Sequence, residues 1–346
     1  MAGHEWRGQV TSPRLLRPVP RSVANHSSRP QGTWQSNHEY VVFAVSRSRR
    51  SGLRRTMKDG QHAQQPPQRA LIITADDFGL HPRVNEAVER AHQHGVLKAA
   101  SLMVGAPAAR DAVERARRLP QLRVGLHLVL ADGAPVLPPR SIPALVDAQG
   151  RFGGNMVRDG VRFFFLPQVR RQLAMEIRAQ FEAFAKTGLP LDHVNTHKHF
   201  HLHPTVLSLI LEIGRDYGMK AIRLPFEARS PFWLMPWIGL VRSRLERAGI
   251  AHNDYVVGIA GTGQMDEAAM LEALAALPRG VGEIYCHPAT ADDSALTPAM
   301  HAYRHGDELA ALLSPHVAEA IAAAGARCGG FADVFSDAFQ QRISTS

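Results

Sequence analysis

Two adjacent carboxylates and a histidine run are the residues of this chain best suited to chemistry. Asp76-Asp77-Phe78-Gly79 follows the apolar run Leu71-Ile72-Ile73-Thr74-Ala75, so both acids stand where a buried strand ends. Far downstream, His197-Lys198-His199-Phe200-His201-Leu202-His203-Pro204 follows a second short run, Leu191 to Thr196. Carboxylate oxygens and imidazole nitrogens suit a divalent metal ion. Neighbouring side chains at a strand end point in different directions, so one acid can hold a metal while the other reaches a water on it. The competing reading is a cap on the helix that Pro82 opens, although the pair sits several residues before it. Extended backbone would set the histidines at 197, 199, 201 and 203 on one face. Four histidines in seven residues are hard to explain by packing. His197, nearest the strand end, is the expected ligand; His199 and His201 are second choices, or cap and wall residues.

Three further positions belong with these. His127, in Val124-Gly125-Leu126-His127-Leu128-Val129-Leu130, reads as a ligand or as a satisfied core residue. His287 follows Glu283-Ile284-Tyr285-Cys286 and precedes Pro288, again just past a strand. An imidazole beside a metal suits general acid work, since its unperturbed pKa is about 6.5; a capping or buried structural histidine is the alternative. Cys286 beside it reads as a buried inert thiol rather than a thiolate ligand. Arg223, near the end of the Ala221–Leu224 run, either grips a substrate oxygen or makes a structural ion pair. One Asp with two His leaves a coordination position open, which marks a catalytic centre and not a closed structural one.

The elements that must position these residues alternate from residue 70 onward. Strands are expected at 71–75, 99–104, 122–130, 191–196, 221–224, 255–259 and 281–286. Helices are expected at 82–94, 107–118, 167–187, 204–217, 265–276, 307–313 and 315–325. Residues 131–165, with four prolines and a glycine pair, read as a long connection of functional length. Short strands each followed by a helix imply parallel pairing. Ligands after four well-separated strands favour a barrel, whose site gathers at many strand C-termini, over an open sheet with one crevice. The expected fold is a single α/β domain, a (β/α) barrel over residues 69–340.

Composition narrows the function classes. A chain of 346 residues with 45% hydrophobic residues can bury a large core. Two cysteines, Cys286 and Cys328, form neither a disulfide framework nor a zinc ribbon, so a reducing cytosol is the default compartment. The net charge of +9 belongs to the tail: ten arginines stand against Glu5 and Glu39 in residues 1–56, leaving +1 for the rest. No nucleic-acid partner is therefore expected of the body. Residues 1–68, rich in Arg, Ser, Pro and Gln, show no sustained period and are expected to be a disordered basic extension. Met57, just before the organised part, offers itself as a natural start. No apolar run is long enough to span a bilayer. Residues 231–241, Pro-Phe-Trp-Leu-Met-Pro-Trp-Ile-Gly-Leu-Val, could dip into a membrane interface, cover the site as a lid, or form a core helix.

Thr74-Ala75-Asp76-Asp77-Phe78-Gly79, Gly125-Leu126-His127, Asn195-Thr196-His197-Lys198-His199-Phe200-His201 and Cys286-His287-Pro288 stand in the order of four signatures that resemble the YdjC/ChbG-type carbohydrate deacetylases. The likeness covers roughly residues 70–335. Within that family, Ala100-Ser101-Leu102-Met103-Val104-Gly105-Ala106-Pro107, Val161-Arg162-Phe163-Phe164-Phe165 and Asp192-His193-Val194-Asn195 resemble the HpnK-type members of hopanoid biosynthesis. The resemblance implies a deformed (β/α) TIM-like barrel and one divalent metal ion, magnesium or zinc foremost. It makes Asp77, His127 and His197 the metal ligands, Asp76 the base and His287 the acid; Arg223, His199 and His201 are the residues expected to bind the substrate. The implied substrate is an N-acetylated amino sugar, lipid-linked in the hopanoid case, met in the cytoplasm or at the inner face of the membrane by a monomer or homodimer. The chain departs from the family in one place: Asn195-Thr196-His197-Lys198-His199 stands where Asp-Ser-His-His-His is frequent, which puts the surroundings of the ligand in question. The rival classes are a deacetylase of soluble N-acetyl oligosaccharides, a metal-dependent phosphoesterase or amidohydrolase, and a metal- or lipid-binding protein without turnover. No Gly-rich phosphate cradle is evident for the phosphoesterase.

Overall fold

The computed structural model describes residues 69–227, 232–290 and 296–336, which all belong to one compact unit, Ala63–Ser346. The basic extension expected over 1–68 lies outside the described residues, as does Pro231 at the head of the apolar segment.

The first strand, β1 (Arg69–Phe78), is buried from Ala70 to Phe78. A strand flanked by parallel neighbours and covered by helices reads as a continuous apolar run, and this one does until Thr74, Asp76 and Asp77 interrupt it. It is followed by α1 (Pro82–His94), β2 (Ala99–Leu102), α2 (Ala109–Arg118) and β3 (Arg123–Leu128). Pro82 enters at the first helical turn, where its missing N–H costs nothing, and the His81 imidazole accepts from the Arg83 N–H. Val84, Ala87, Val88 and Ala91 bury one face of α1 against the sheet. The chain continues through α3 (Met156–Phe165), α4 (Pro167–Lys186), β4 (Val194–Thr196), α5 (Pro204–Asp216) and α6 (Met235–Arg247). Then come β5 (Tyr255–Val257), α7 (Glu267–Ala275), β6 (Gly280–Cys286), α8 (His305–Leu313), α9 (Pro315–Ala324), β7 (Arg327–Cys328) and the short α10 (Phe331–Val334).

The strands pair in the order β4-β3-β2-β1-β6-β5, all parallel, with β7 on β1 as well. Residues 221–224 close the ring without becoming a full strand. Ile222 bridges Val194 of β4, and Ala221 bridges Ala251 on the approach to β5. Asn253 replaces the missing ladder by bonding both the N–H and the C=O of Leu224. The result is the expected deformed (β/α) barrel, with its C-terminal strand ends opening on one mouth.

Two expectations about elements are corrected. The connection over 131–165 is not all loop: its last ten residues form α3, capped by the Asn155 side chain on the Arg158 N–H. The run 221–224 makes only bridges. The apolar stretch that begins at residue 231 continues as α6, a helix whose Ile238, Val241 and Leu245 are buried while Met235 and Leu240 stay exposed.

Candidate active site

Asp77 reaches the mouth through an unusual backbone. Its φ is +62°, in the left-handed region that costs a non-glycine residue about 1 kcal/mol or more. Gly79 follows at φ +96°, where a Cβ would also crowd Leu102 and Met103. Asn85 of α1 pins this turn: its carboxamide oxygen accepts the Gly79 N–H at 2.8 Å and its amide donates to the Ala108 carbonyl at 3.0 Å. The turn aims the Asp77 carboxylate inward, where it meets ligands from two other strand ends.

There the three expected ligands come together. Asp77 Oδ1 lies 3.2 Å from His127 Nε2 and 3.3 Å from His197 Nδ1, and the two nitrogens are 3.4 Å apart. Metal–ligand bonds of about 2.0–2.2 Å place neighbouring ligand atoms about 3.0–3.5 Å apart, so this triangle has the edges an ion requires. Both Asp77 oxygens are buried and make no hydrogen bond of good geometry. A buried carboxylate without donors is costly unless a cation faces it, so the donor set fits a divalent ion. Burial raises the Asp77 carboxyl pKa, but the His197 and His127 imidazoles outweigh it and hold the group well below the carboxylate range.

A layer of hydrogen bonds fixes His127. Its Nδ1–H donates to Asn195 Oδ1 at 2.7 Å, which leaves Nε2 with its lone pair toward Asp77 and His197. The Asn195 amide in turn donates to Asp76 Oδ1 at 3.0 Å and to Ser101 Oγ at 3.2 Å. Asn195, one of the residues that depart from the family pattern, thus both accepts from His127 and donates to a carboxylate. An ionised aspartate can only accept.

Asp76 and Arg223 form a buried cluster beneath the triad. Arg223 Nη1 and Nη2 donate to Asp76 Oδ2 and Oδ1 at 2.6 and 2.9 Å. Its Nε and Nη2 also donate to Glu283 Oε2 and Oε1 at 2.9 and 2.8 Å. Ser101 Oγ donates to Asp76 at 2.7 Å and Thr74 Oγ1 to Glu283 at 2.8 Å. Burial opposes the charge on Asp76, yet Arg223 and His127 overcome it, so the carboxyl stays ionised far below its usual range. Of the two readings of Arg223, the geometry realises the ion pair: the side chain is fully buried and its fork is taken by two carboxylates.

The histidine run does not lie on one face, which corrects the extended-strand expectation. Residues His197–Leu202 form a tight kinked turn, with Lys198 and His199 left-handed at φ +57° and +55°. The four rings therefore part company. His197 joins the triad. His199 Nε2 sits 3.3 Å from the Tyr285 hydroxyl, with Nδ1 buried and unpartnered. His201 is buried, with Nδ1 on Thr196 Oγ1 at 2.7 Å and Nε2 on the Arg223 carbonyl at 2.8 Å, so both nitrogens are used in holding the turn to the barrel. His203 packs its ring edge-on to Phe163 of α3.

His287 completes the mouth from the end of β6, with Nε2 4.0 Å from Asp77 Oδ2 and its ring beside Tyr303 and Tyr285. Burial holds its pKa below the usual histidine value against the pull of Asp77 and Asp76. Glu308 of α8 carries the backbone here, accepting the His287 N–H at 2.5 Å and the Met265 N–H at 2.9 Å. Cys286 is buried, and burial pushes its thiol well above the reactive range.

A profile described as YdjC-like protein matches residues 70–323 of this chain. The chain belongs to the YdjC-like family. A carbohydrate deacetylase of Brevibacillus brevis is 34% identical over 256 residues, covering 72% of this chain and 94% of that protein. A chitooligosaccharide deacetylase of Yersinia pestis is 30% identical over 277 residues, covering 77% and 99%. Among solved structures, a candidate cellobiose-phosphate cleavage protein from Enterococcus faecalis superposes with a TM-score of 0.63 at 27% identity, covering 77% of this chain and 98% of that one.

Sequence reasoning passed over Ser101, Asn195, Glu283 and Glu308 of this YdjC-like protein. A signal existed for two of them. Ser101 and Glu283 are polar residues inside apolar strand runs, where an unpaired group is expensive. Asn195 stood out only as a departure from the family pattern, with no role attached, and Glu308 acts through partners distant in sequence and gave no local sign.

One stability consequence follows from His201. Burial lowers its pKa to about 4, from 6.5 in an unfolded chain. Between those values the unfolded chain binds a proton that the folded one refuses. Stability is thus unaffected by this group above pH 6.5 and is lost as the pH falls toward 4, by about 3 kcal/mol in all. Denaturant titrations at pH 7 and pH 4.5 should show a His201→Gln variant losing less stability between the two than the parent. Equal losses would contradict the buried neutral assignment.

Proposed function

We propose that this chain is a metal-dependent carbohydrate deacetylase, a hydrolase that removes the acetyl group from an N-acetylated amino sugar. The observation that carries the reading is the triad of Asp77, His127 and His197 at the barrel mouth, with both Asp77 oxygens buried and unpaired. The names of the Brevibacillus and Yersinia relatives supply the reaction class. A divalent ion held by the triad, magnesium or zinc, supplies Lewis acidity: it acidifies a water and draws electron density from an acetamide carbonyl.

The chain's own groups do the rest. Asp76 is assigned the base. Arg223 and Ser101 keep it ionised and fixed, which also makes it a weak base, so it can take a proton only from a water already made acidic. His287 is assigned the acid for the leaving amine. Its lowered pKa leaves the resting imidazole neutral, so it must gain a proton within the cycle before giving one to nitrogen. His199, half-buried beside Tyr285, is assigned to the wall of the sugar site. The test is acetate release from an N-acetylated sugar by chelated protein before and after each metal is returned. Metal binding without acetate release, alongside hydrolysis of phosphate esters, would replace this reading by the phosphoesterase.

The finer proposal is a lipid-linked substrate, an N-acetylglucosaminyl hopanoid. It rests on the resemblance to the hopanoid members and on a groove of about 650 Å³ that reaches His197. Leu80, Met103, Pro107, Val129, Leu296 and Met300 line much of it, aliphatic side chains that suit a hydrocarbon aglycone. A soluble chitooligosaccharide is the second reading, favoured by the name of the Yersinia relative. Mass spectrometry of the sugar-hopanoid should show loss of one acetyl group, with a kcat/KM at least about tenfold above that for the soluble oligosaccharide. The reverse order would select the soluble substrate.

A further inference from the structure

Helix α3 is apolar on two faces and covered on one. Met156, Gly160 and Phe163 turn inward toward α4, α5 and the 197–203 turn. Val157, Val161, Phe164 and Phe165 recur at the spacing i, i+4, i+7, i+8 and share a second stripe. That stripe is bare: Val157 is 81% exposed and Phe165 68%, and Leu166 just beyond is exposed as well. Arg158, Asp159 and Arg162 form a narrow polar side, so the apolar arc of α3 is wider than the face the fold covers, and scattered apolar exposure does not produce a helical period. The stretch Phe232–Leu240 adds Phe232 at 85% exposure, with Trp233, Met235 and Leu240. Both elements lean on the same turn: Phe164 packs on His203, and the Trp237 indole donates to the Leu202 carbonyl at 3.0 Å.

Charge decides the partner. Residues 157–171 hold Arg158, Arg162, Arg170 and Arg171 against Asp159 alone; Arg158 and Arg162 share that one carboxylate, each at 3.1 Å, so the segment keeps a net positive charge, with Arg170 and Arg171 exposed. Helix α6 holds Arg244 and Arg247 against Glu246, while Arg242 is paired with Asp254. In a two-fold dimer the same patch faces itself, so these arginines would oppose their own copies. Anionic headgroups instead attract them while acyl chains receive the phenylalanines and Trp233. We propose that the outer stripe of α3 and the Phe232–Leu240 stretch dock on an anionic lipid bilayer, beside the turn that carries His197. This deepens, and rests on, the lipid-linked reading of the substrate.

The test is co-sedimentation of the full chain with phosphatidylcholine vesicles, with and without phosphatidylglycerol. The parent should pellet with the anionic vesicles, and added salt should release part of it. The double variants Phe164→Glu/Phe165→Glu and Phe232→Glu/Trp233→Glu should each lower partitioning by about tenfold or more. Acetate release from a soluble N-acetylated chitooligosaccharide should be unchanged in both, which also shows that they fold. The proposal is overturned if the parent stays in the supernatant, or if both doubles pellet like the parent. It is also overturned if light scattering shows a dimer that the doubles dissolve, making the face a contact between copies. Vesicle binding without acetate release from any N-acetylated sugar would remove the deacetylase reading and leave the docking face standing.

Discussion

Asp77→Asn should abolish metal binding and lower acetate release by about a thousandfold or more, since a lost Lewis acid removes several kcal/mol of transition-state stabilisation. In the metal-free protein the same substitution should cost some stability, because the His197 and His127 imidazoles hold the ionised carboxylate in the fold. The carboxamide offers its amide hydrogens to the same two rings and should recover part of that loss. Adding a divalent ion should then raise the melting temperature of the parent and not of the variant. A ligand at a thousand times its Kd contributes about 4 kcal/mol to a folded state that alone binds it. Thermal melts with and without chelator, with metal analysis by mass spectrometry, read both effects. A variant that keeps its metal and its turnover would remove Asp77 from the ligand set and the triad with it.

Arg223→Met should destabilise the fold by about 3–5 kcal/mol, the range for a buried ion pair stripped of one partner. The guanidinium neutralises two carboxylates at once, Asp76 and Glu283, and neither has another cation among its described hydrogen-bond partners. Without it they repel, and one must take a proton to stay buried. Arg223→Lys keeps the charge but not the fork that reaches both acids, and should recover only part of the loss. Adding Glu283→Gln to Arg223→Met should recover some stability by removing one orphaned charge, while Asp76 remains without its anchor and turnover stays low. Urea denaturation at pH 7 measures the series. A melt for Arg223→Met within about 1 kcal/mol of the parent would show that the cluster tolerates an open charge and would undercut its role in holding Asp76 ionised.

Much of the architecture was legible from local pattern. The runs around Leu71, Val124, Val194 and Ile284 are short and apolar because parallel barrel strands are covered on both faces. Asp77, His127, His197 and His287 each follow or end such a run, and the mouth of a parallel barrel collects whatever its strands carry at that end. The convergence of these four was therefore foreseeable without coordinates. Helix α3 was missed although Arg158, Asp159 and Arg162 share one side of it, because its ten residues sit inside a stretch read as a connection from its prolines and glycines.

Residue order alone determined the alternation of strand and helix and the set of groups brought to the barrel mouth, because both depend on short-range periodicity. Tertiary structure decided what each group does there. Lys198 and His199 turn left-handed and send four evenly spaced imidazoles to four different neighbours. Arg223 is bonded to acids 147 and 60 residues away, and Asn195 joins His127 to Asp76 across 68 and 119 residues. Side-chain destination at such a site is set by partners far along the chain and by backbone conformations with φ above zero, neither of which hydrophobic spacing records.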